Sequence, residues 1–320
     1  MKKLIMKILL LMIPFTGFII TINHFYVHSN YWKSKDNIYK FYSIPDGITL
    51  ANVGSSHGEV NWLYEDFPEY TAFNFGVSAQ YHNYSYAILK QFITKFHDGA
   101  VVLIPISYFE ITQVPSEEEQ AKKRSRYYRF MAREYMEEVD EWMYWDYFRY
   151  AVFPILSARD NEISKIVFDI PAEKIDIFWN RTTHRTGKDL ERYCLDKHKG
   201  WTDPKMEKGD TGFAYNFQAV CTLIDFCRKN GLVPVLITTP ITDVLNRYFE
   251  QTDGFFDVFY RFTSKLQEKY PDIRYFDYSH DNDFSPYHEL FFDGDHLNVY
   301  GAKAFTARVI ADLKNALILK

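Results

Sequence analysis

Two segments hold the residue types that could do chemistry together: Gly54-Ser55-Ser56-His57-Gly58-Glu59 and Asp293-Gly294-Asp295-His296-Leu297-Asn298. A serine hydroxyl becomes a nucleophile when a base takes its proton. An imidazole serves best when a carboxylate fixes its tautomer and stabilises the imidazolium. Asp293 stands three residues before His296, so one loop can hold both, and Ser56 supplies the hydroxyl. On a sharp strand-to-helix turn, the backbone N–H groups beside such a serine point where an oxyanion would form. Glycines on either side permit the turn. Each segment also has a plainer reading: Ser55 or Ser56 caps a helix, and Asp295 or Asn298 caps the helix that follows. A third arrangement offers Asp293, Asp295 and His296, with His57, to a divalent ion, since oxygen and imidazole suit several metals. No other acidic or His pair has convincing ligand spacing and no glycine-rich phosphate loop is present, so neither a metal nor a cofactor is expected.

These residues need a frame that brings them to one edge. Thr49 to Val53 and Thr71 to Phe75 are short apolar runs, Ala100 to Ile106 and Leu232 to Thr238 read as buried strands, and Ile273 to Phe276 as a short strand. Helical spacing recurs over 80–96, 214–229, 254–269 and 299–318. Strands alternating with helices imply an α/β fold: a doubly wound, flavodoxin-like, mainly parallel five-stranded sheet covered on both faces. Ligands of such sheets bind at the carboxyl ends of the strands, where both segments fall. Residues 113–212 interrupt the alternation with a charged, Tyr-, Trp- and Arg-rich stretch. It reads as a mostly helical insertion, serving as a lid, a partner surface or an elaboration without chemical role.

The chain has 320 residues, 47% of them hydrophobic and 25% charged, enough apolar content for a packed core. Its formal net charge of −5 argues against nucleic acid as a main partner. Lys2, Lys3 and Lys7 precede or enter an apolar run that reaches Ile22, with no small-x-small cleavage site after it. The expectation is an N-terminal transmembrane helix over 1–24, an uncleaved single-pass anchor in the cell membrane. The short basic side would stay inside, and residues 25–320 would form an extracytoplasmic domain. Cys194, Cys221 and Cys227 lack finger spacing and read as small core residues.

With the motifs in place, the sequence resembles the SGNH, or GDSL-like, hydrolase superfamily over 48–110 and 214–318. Gly54-Ser55-Ser56 matches the first block, where Gly-Asp-Ser is usual. Asn74-Phe75-Gly76 matches the second, whose glycine N–H contributes to the oxyanion hole, and Asp293-x-x-His296 matches the last. The third block ordinarily offers an Asn. Here Pro105-Ile106-Ser107-Tyr108-Phe109-Glu110 has none, which leaves Ser107 as the substitute donor. The resemblance implies catalysis by Ser56, His296 and Asp293 with Gly76 and Ser107 in the oxyanion hole. The anchored layout is similar to extracytoplasmic proteins that O-acetylate polysaccharides and to the D-alanyl transfer protein of teichoic acid modification. Both groups work beside a multi-spanning membrane acyltransferase. The expected function is therefore acyl transfer or ester hydrolysis on a cell-envelope polysaccharide or teichoic acid. The alternative is a non-catalytic envelope scaffold that binds glycan or the acyltransferase.

Overall fold

A computed structural model describes residues 2–114, 116–158, 162, 164, 182–202 and 209–319. The chain divides into two compact units, one of Met1–Ser43 with Glu117–Ile177 and one of Ile44–Ser116 with Phe178–Lys320. All candidate site residues belong to the second.

Five strands build the second unit's sheet: β1 (Ile48–Asn52), β2 (Ala72–Asn74), β3 (Phe96–Pro105), β4 (Val233–Thr238) and β5 (Arg274–Asp277). They run β2-β1-β3-β4-β5, and every pairing is parallel. This is the expected doubly wound order, and its direction reverses between β1 and β3. Ala100 to Pro105 of β3 and Pro234 to Ile237 of β4 are apolar and buried because a parallel sheet is covered on both faces, whereas His97 to Gly99 at the start of β3 are exposed. Leu50, Val101, Leu103, Val235 and Ile237 share one face and pack with Trp62, Phe305, Val309 and Leu313 in one core cluster. Fully burying one such side chain contributes about 1.5–3 kcal/mol. Residues one step along, such as Val102, Ile104 and Leu236, are equally buried and point to the opposite face.

The helices that matter here are α1 (Lys2–His28), α2 (Ser56–Val60), α3 (His82–Gln91), α4 (Gly187–Trp201), α5 (Gly209–Lys229), α6 (Asp243–Glu250), α7 (Phe255–Lys269) and α8 (Val299–Asn315). Helix α3 packs against α5, and α5 against α7. The helix expected over 80–96 stops at Gln91, because the chain turns through a 3-10 segment, Ile93–Lys95, and enters β3 at Phe96. Helix α6 has no counterpart in the sequence reading. Its start is marked by Thr242, whose hydroxyl accepts the Leu245 N–H at 3.3 Å.

In the first unit α1 covers the segment expected to be an anchor. Met6, Leu10, Ile13, Phe15 and Phe18 along it are exposed. Among the described residues no helix is long and apolar enough to cross a membrane, so the expected transmembrane helix over 1–24 is not found. Further along this unit, Arg129 lies over the Trp32 ring at 3.8 Å and donates to the Trp32 carbonyl at 2.9 Å.

Candidate active site

The site begins where β1 ends. Gly54 adopts a positive φ of 110°, which an L side chain rarely takes, and this turns the chain from strand into α2 within three residues. Ser56 is the first residue of that helix. The turn is packed backbone against backbone: a Cβ on Gly76 would stand 2.4 Å from the Gly58 carbonyl carbon. Asn74, at the end of β2, ties the two loops together. Its amide donates to the Glu59 carbonyl at 3.0 Å, and its Oδ1 accepts the Gly76 N–H at 2.8 Å and the Asn52 amide at 3.1 Å.

The Asp293–His296 loop is held from both ends. The Phe292 N–H donates to the His296 carbonyl at 2.8 Å, and Leu297 N–H donates to Asn61 Oδ1 at 3.1 Å. Gly294 has its carbonyl taken by the Thr242 N–H at 2.9 Å, and a Cβ there would lie 2.7 Å from Cys194 Sγ. Asn298 caps α8 by accepting the Gly301 N–H at 3.0 Å. That cap was one of the plainer readings of this segment, and it coexists with the other roles.

The structure brings Ser56, His296 and Asp293 together. Ser56 Oγ is 2.9 Å from His296 Nε2. His296 Nδ1 is 3.0 and 3.1 Å from the two oxygens of Asp293. Asp293 Oδ1 also accepts the backbone N–H groups of His296 at 2.9 Å and of Asp295 at 3.1 Å, while Oδ2 accepts the Tyr193 O–H at 3.0 Å. With one oxygen fixed by two backbone donors, the carboxylate presents itself to Nδ1. The proton-free nitrogen of a neutral imidazole then faces Ser56. Burial alone would raise the Asp293 carboxyl. The neighbouring His296, against repulsion from Asp295, outweighs burial with help from Lys197 and holds the carboxyl below its ordinary value.

A second set of groups lies against the first. His57 Nε2 is 3.1 Å from Asp295 Oδ2, and His57 Nδ1 is 2.9 Å from Ser107 Oγ. Lys197 on α4 reaches the same Asp295 oxygen at 3.2 Å. Burial pushes the Asp295 carboxyl up, but His296, Lys197 and His57 more than reverse this and hold it well below the carboxylate range. The Tyr193 phenol moves the other way, raised by burial and by the two carboxylates.

The two expected oxyanion donors are engaged within the protein. The Gly76 N–H goes to Asn74 Oδ1, and the Ser107 hydroxyl contacts His57. Among the described residues, His57, Asp295 and His296 offer ligand atoms within 4.8 Å of one another, the spacing a metal would need. Both nitrogens of each ring, however, already face protein partners: Asp295 and Ser107 for His57, Asp293 and Ser56 for His296. That arrangement suits a hydrogen-bonded relay better than coordination.

Tyr193 and Lys197 come from within the stretch expected as an insertion, 113–212, so part of that stretch borders the site. A signal existed: Tyr193, Lys197 and Trp201 recur every four residues and share one face of α4, with Lys197 over the Trp201 ring at 5.0 Å.

No protein-family model matches the chain, and no curated protein does. Among solved structures, a Bacteroides fragilis protein provisionally assigned as an acylhydrolase superposes over 88% of this chain and 95% of its own, with a TM-score of 0.40 and 12% identity. A likeness that low transfers no chemistry.

Proposed function

We propose that this chain is a serine-dependent acyl-transfer or ester-hydrolysing enzyme of the SGNH kind. The observation that carries the proposal is the continuous chain of contacts from Ser56 Oγ through the His296 ring to Asp293, at 2.9 and 3.0 Å. In the proposed reaction Ser56 Oγ bonds to the acyl carbon while His296 Nε2 takes its proton. The tetrahedral intermediate collapses, the ester C–O bond breaks, and the leaving alkoxide receives that proton from His296. An acceptor hydroxyl, or water, then gives a proton to His296 and attacks the acyl-enzyme, and Ser56 departs reprotonated.

The finer reading is that the acceptor is a cell-envelope glycan or teichoic acid, supplied beside a multi-spanning membrane acyltransferase. The basic, apolar N-terminal run followed by the Gly54-Ser55-Ser56 start, a layout similar to proteins of that kind, supports it. Attachment to the cell membrane, with the catalytic unit outside the cell, belongs to the same proposal. It is supported by the exposed apolar side chains of α1. Carbonate extraction of membranes, combined with protease accessibility in spheroplasts, tests location independently of chemistry.

Covalent labelling with a fluorophosphonate, with the adduct mapped by mass spectrometry, tests the enzyme. An adduct on Ser56 that disappears in Ser56→Ala and His296→Ala is the expected result. A folded protein that takes no adduct would sink the proposal and favour the scaffold alternative.

A further inference from the structure

On α1, in the first unit, every residue from Met12 to Phe18 is exposed. Seven consecutive helical residues make nearly two turns and point in every direction, so no face of the helix is turned inward there. The side chains are mostly large and apolar, and Ile13 alone is 67% exposed. A helix that is apolar all round belongs inside an apolar surrounding. A protein partner, a second copy of this chain included, covers one side of such a helix, whereas a lipid phase covers all of them. Just beyond this stretch Asn23 fastens α1 to a second segment of the same unit. Its side-chain amide donates to the Val152 carbonyl at 3.3 Å, and its Oδ1 accepts the Ile155 N–H at 3.2 Å. The segment held in this way, 143–156, is itself open: Met143, Tyr144, Trp145, Phe148, Val152 and Leu156 are exposed, Trp145 by 63%. Its two charged residues, Asp146 and Arg149, pair with each other at 2.8 Å, so the segment carries no net charge.

We propose that residues 143–156 form an interfacial collar that rests in the headgroup layer of a lipid bilayer, with the apolar stretch of α1 beyond it among the lipid chains. The inference rests on the membrane-attachment reading and names the surface that sets how deep the first unit sits. The residue types fit that level. Trp and Tyr join an apolar ring to a polar edge and favour the boundary between hydrocarbon and water. Trp145 and Phe148 stack with their rings 5.7 Å apart, which gives the collar a continuous aromatic face. The internal pairing of Asp146 with Arg149 spares the collar an isolated charge where the dielectric constant falls. Charge points to the kind of lipid as well: Lys3 and Lys7, exposed on α1 on the far side of the apolar stretch, are complementary to anionic headgroups.

Tryptophan quenching in vesicles tests the collar. The full-length chain is incorporated into vesicles of phosphatidylcholine and phosphatidylglycerol whose phosphatidylcholine carries bromine either close to the headgroup or close to the chain ends. The chain has six tryptophans, and the part of the quenching that is lost in Trp145→Phe belongs to Trp145. That part is expected to be large with bromine close to the headgroup and small with bromine at the chain ends. Because Trp145 is exposed and distant in sequence from Ser56, fluorophosphonate labelling of Ser56 should be unchanged in Trp145→Phe, which verifies that the variant is folded. Co-sedimentation with the vesicles separates the two readings. Protein that sediments with vesicles but is quenched equally with and without Trp145, or in which Trp145 responds more to chain-end bromine, defeats the collar alone. Protein that does not sediment with vesicles defeats the collar and membrane attachment together; self-association of that protein in analytical ultracentrifugation would assign the apolar surface to a second copy of the chain.

Discussion

Replacing Asp293 with Asn discriminates sharply, because the structure dictates how the amide must sit. Asp293 Oδ1 accepts two backbone N–H groups, from His296 at 2.9 Å and Asp295 at 3.1 Å. An Asn side chain must leave its oxygen there, since an amide NH2 would face two donors. Its nitrogen then occupies the Oδ2 position, 3.1 Å from His296 Nδ1. That nitrogen donates to Nδ1 in competition with the retained oxygen, 3.0 Å from the same atom, and each ring whose Nδ1 accepts it carries the imidazole proton on Nε2, facing Ser56. A ring in that tautomer cannot take the serine proton. Elsewhere the equivalent change in a Ser–His–Asp triad lowers kcat about 10⁴-fold. A loss of about 10³–10⁴ is therefore expected here, equal to about 4–5.5 kcal/mol in the barrier. Stability should change by no more than about 2 kcal/mol, because both backbone donors stay satisfied. The rate of fluorophosphonate labelling of Ser56 reads the first quantity and the urea midpoint the second. An Asp293→Asn protein that labels within about tenfold of wild type would refute the assignment of Asp293 as the residue that sets the His296 tautomer.

Tyr193→Phe removes the O–H donated to Asp293 Oδ2 at 3.0 Å but keeps the ring, so kcat is expected to fall by about tenfold or less with KM unchanged; steady-state kinetics check this. Lys197→Met strips Asp295 of a cation at 3.2 Å. Breaking a fully buried pair costs about 3–5 kcal/mol, and the partial exposure of Lys197 reduces the expected loss to about 1–3 kcal/mol. Urea titration should also show Lys197→Met/Asp295→Asn to be less destabilised than Lys197→Met. Stability should depend on acid in a direction set by the carboxylates. Asp293, Asp295 and Glu110 are all held below their ordinary values in the fold, through partners that outweigh burial: His296 for the first two, His82 for Glu110. Groups with depressed folded values add stability above the unfolded carboxylate range, near pH 4, and lose it as pH falls through the folded values. The urea midpoint should therefore decline from about pH 5 downward, and less steeply in Asp295→Asn.

The strands were legible because a parallel sheet covered on both faces writes itself as short apolar runs. Val101 to Ile104 and Val235 to Ile237 leave little room for another reading. Ser56, Asp293 and His296 were legible as a set for a related reason. A sheet of this topology delivers the carboxyl ends of its strands to one edge, so a serine after β1 and an Asp-x-x-His before α8 have to approach each other. What stayed hidden depends on side chains meeting across long sequence separations. Nothing in Gly54-Ser55-Ser56-His57 says that His57 turns toward Asp295, 238 positions away, or that its other nitrogen finds Ser107. Nor does Asn74-Phe75-Gly76, at the end of β2, say that the Gly76 N–H is donated to Asn74 Oδ1 at 2.8 Å. The same holds for the second carboxylate of Asp293-Gly294-Asp295-His296. Along the chain Asp295 reads as a helix cap, because its partners lie on other elements: in the fold it meets His57 of α2 at 3.1 Å and Lys197 of α4 at 3.2 Å, and no spacing within one loop could announce either contact.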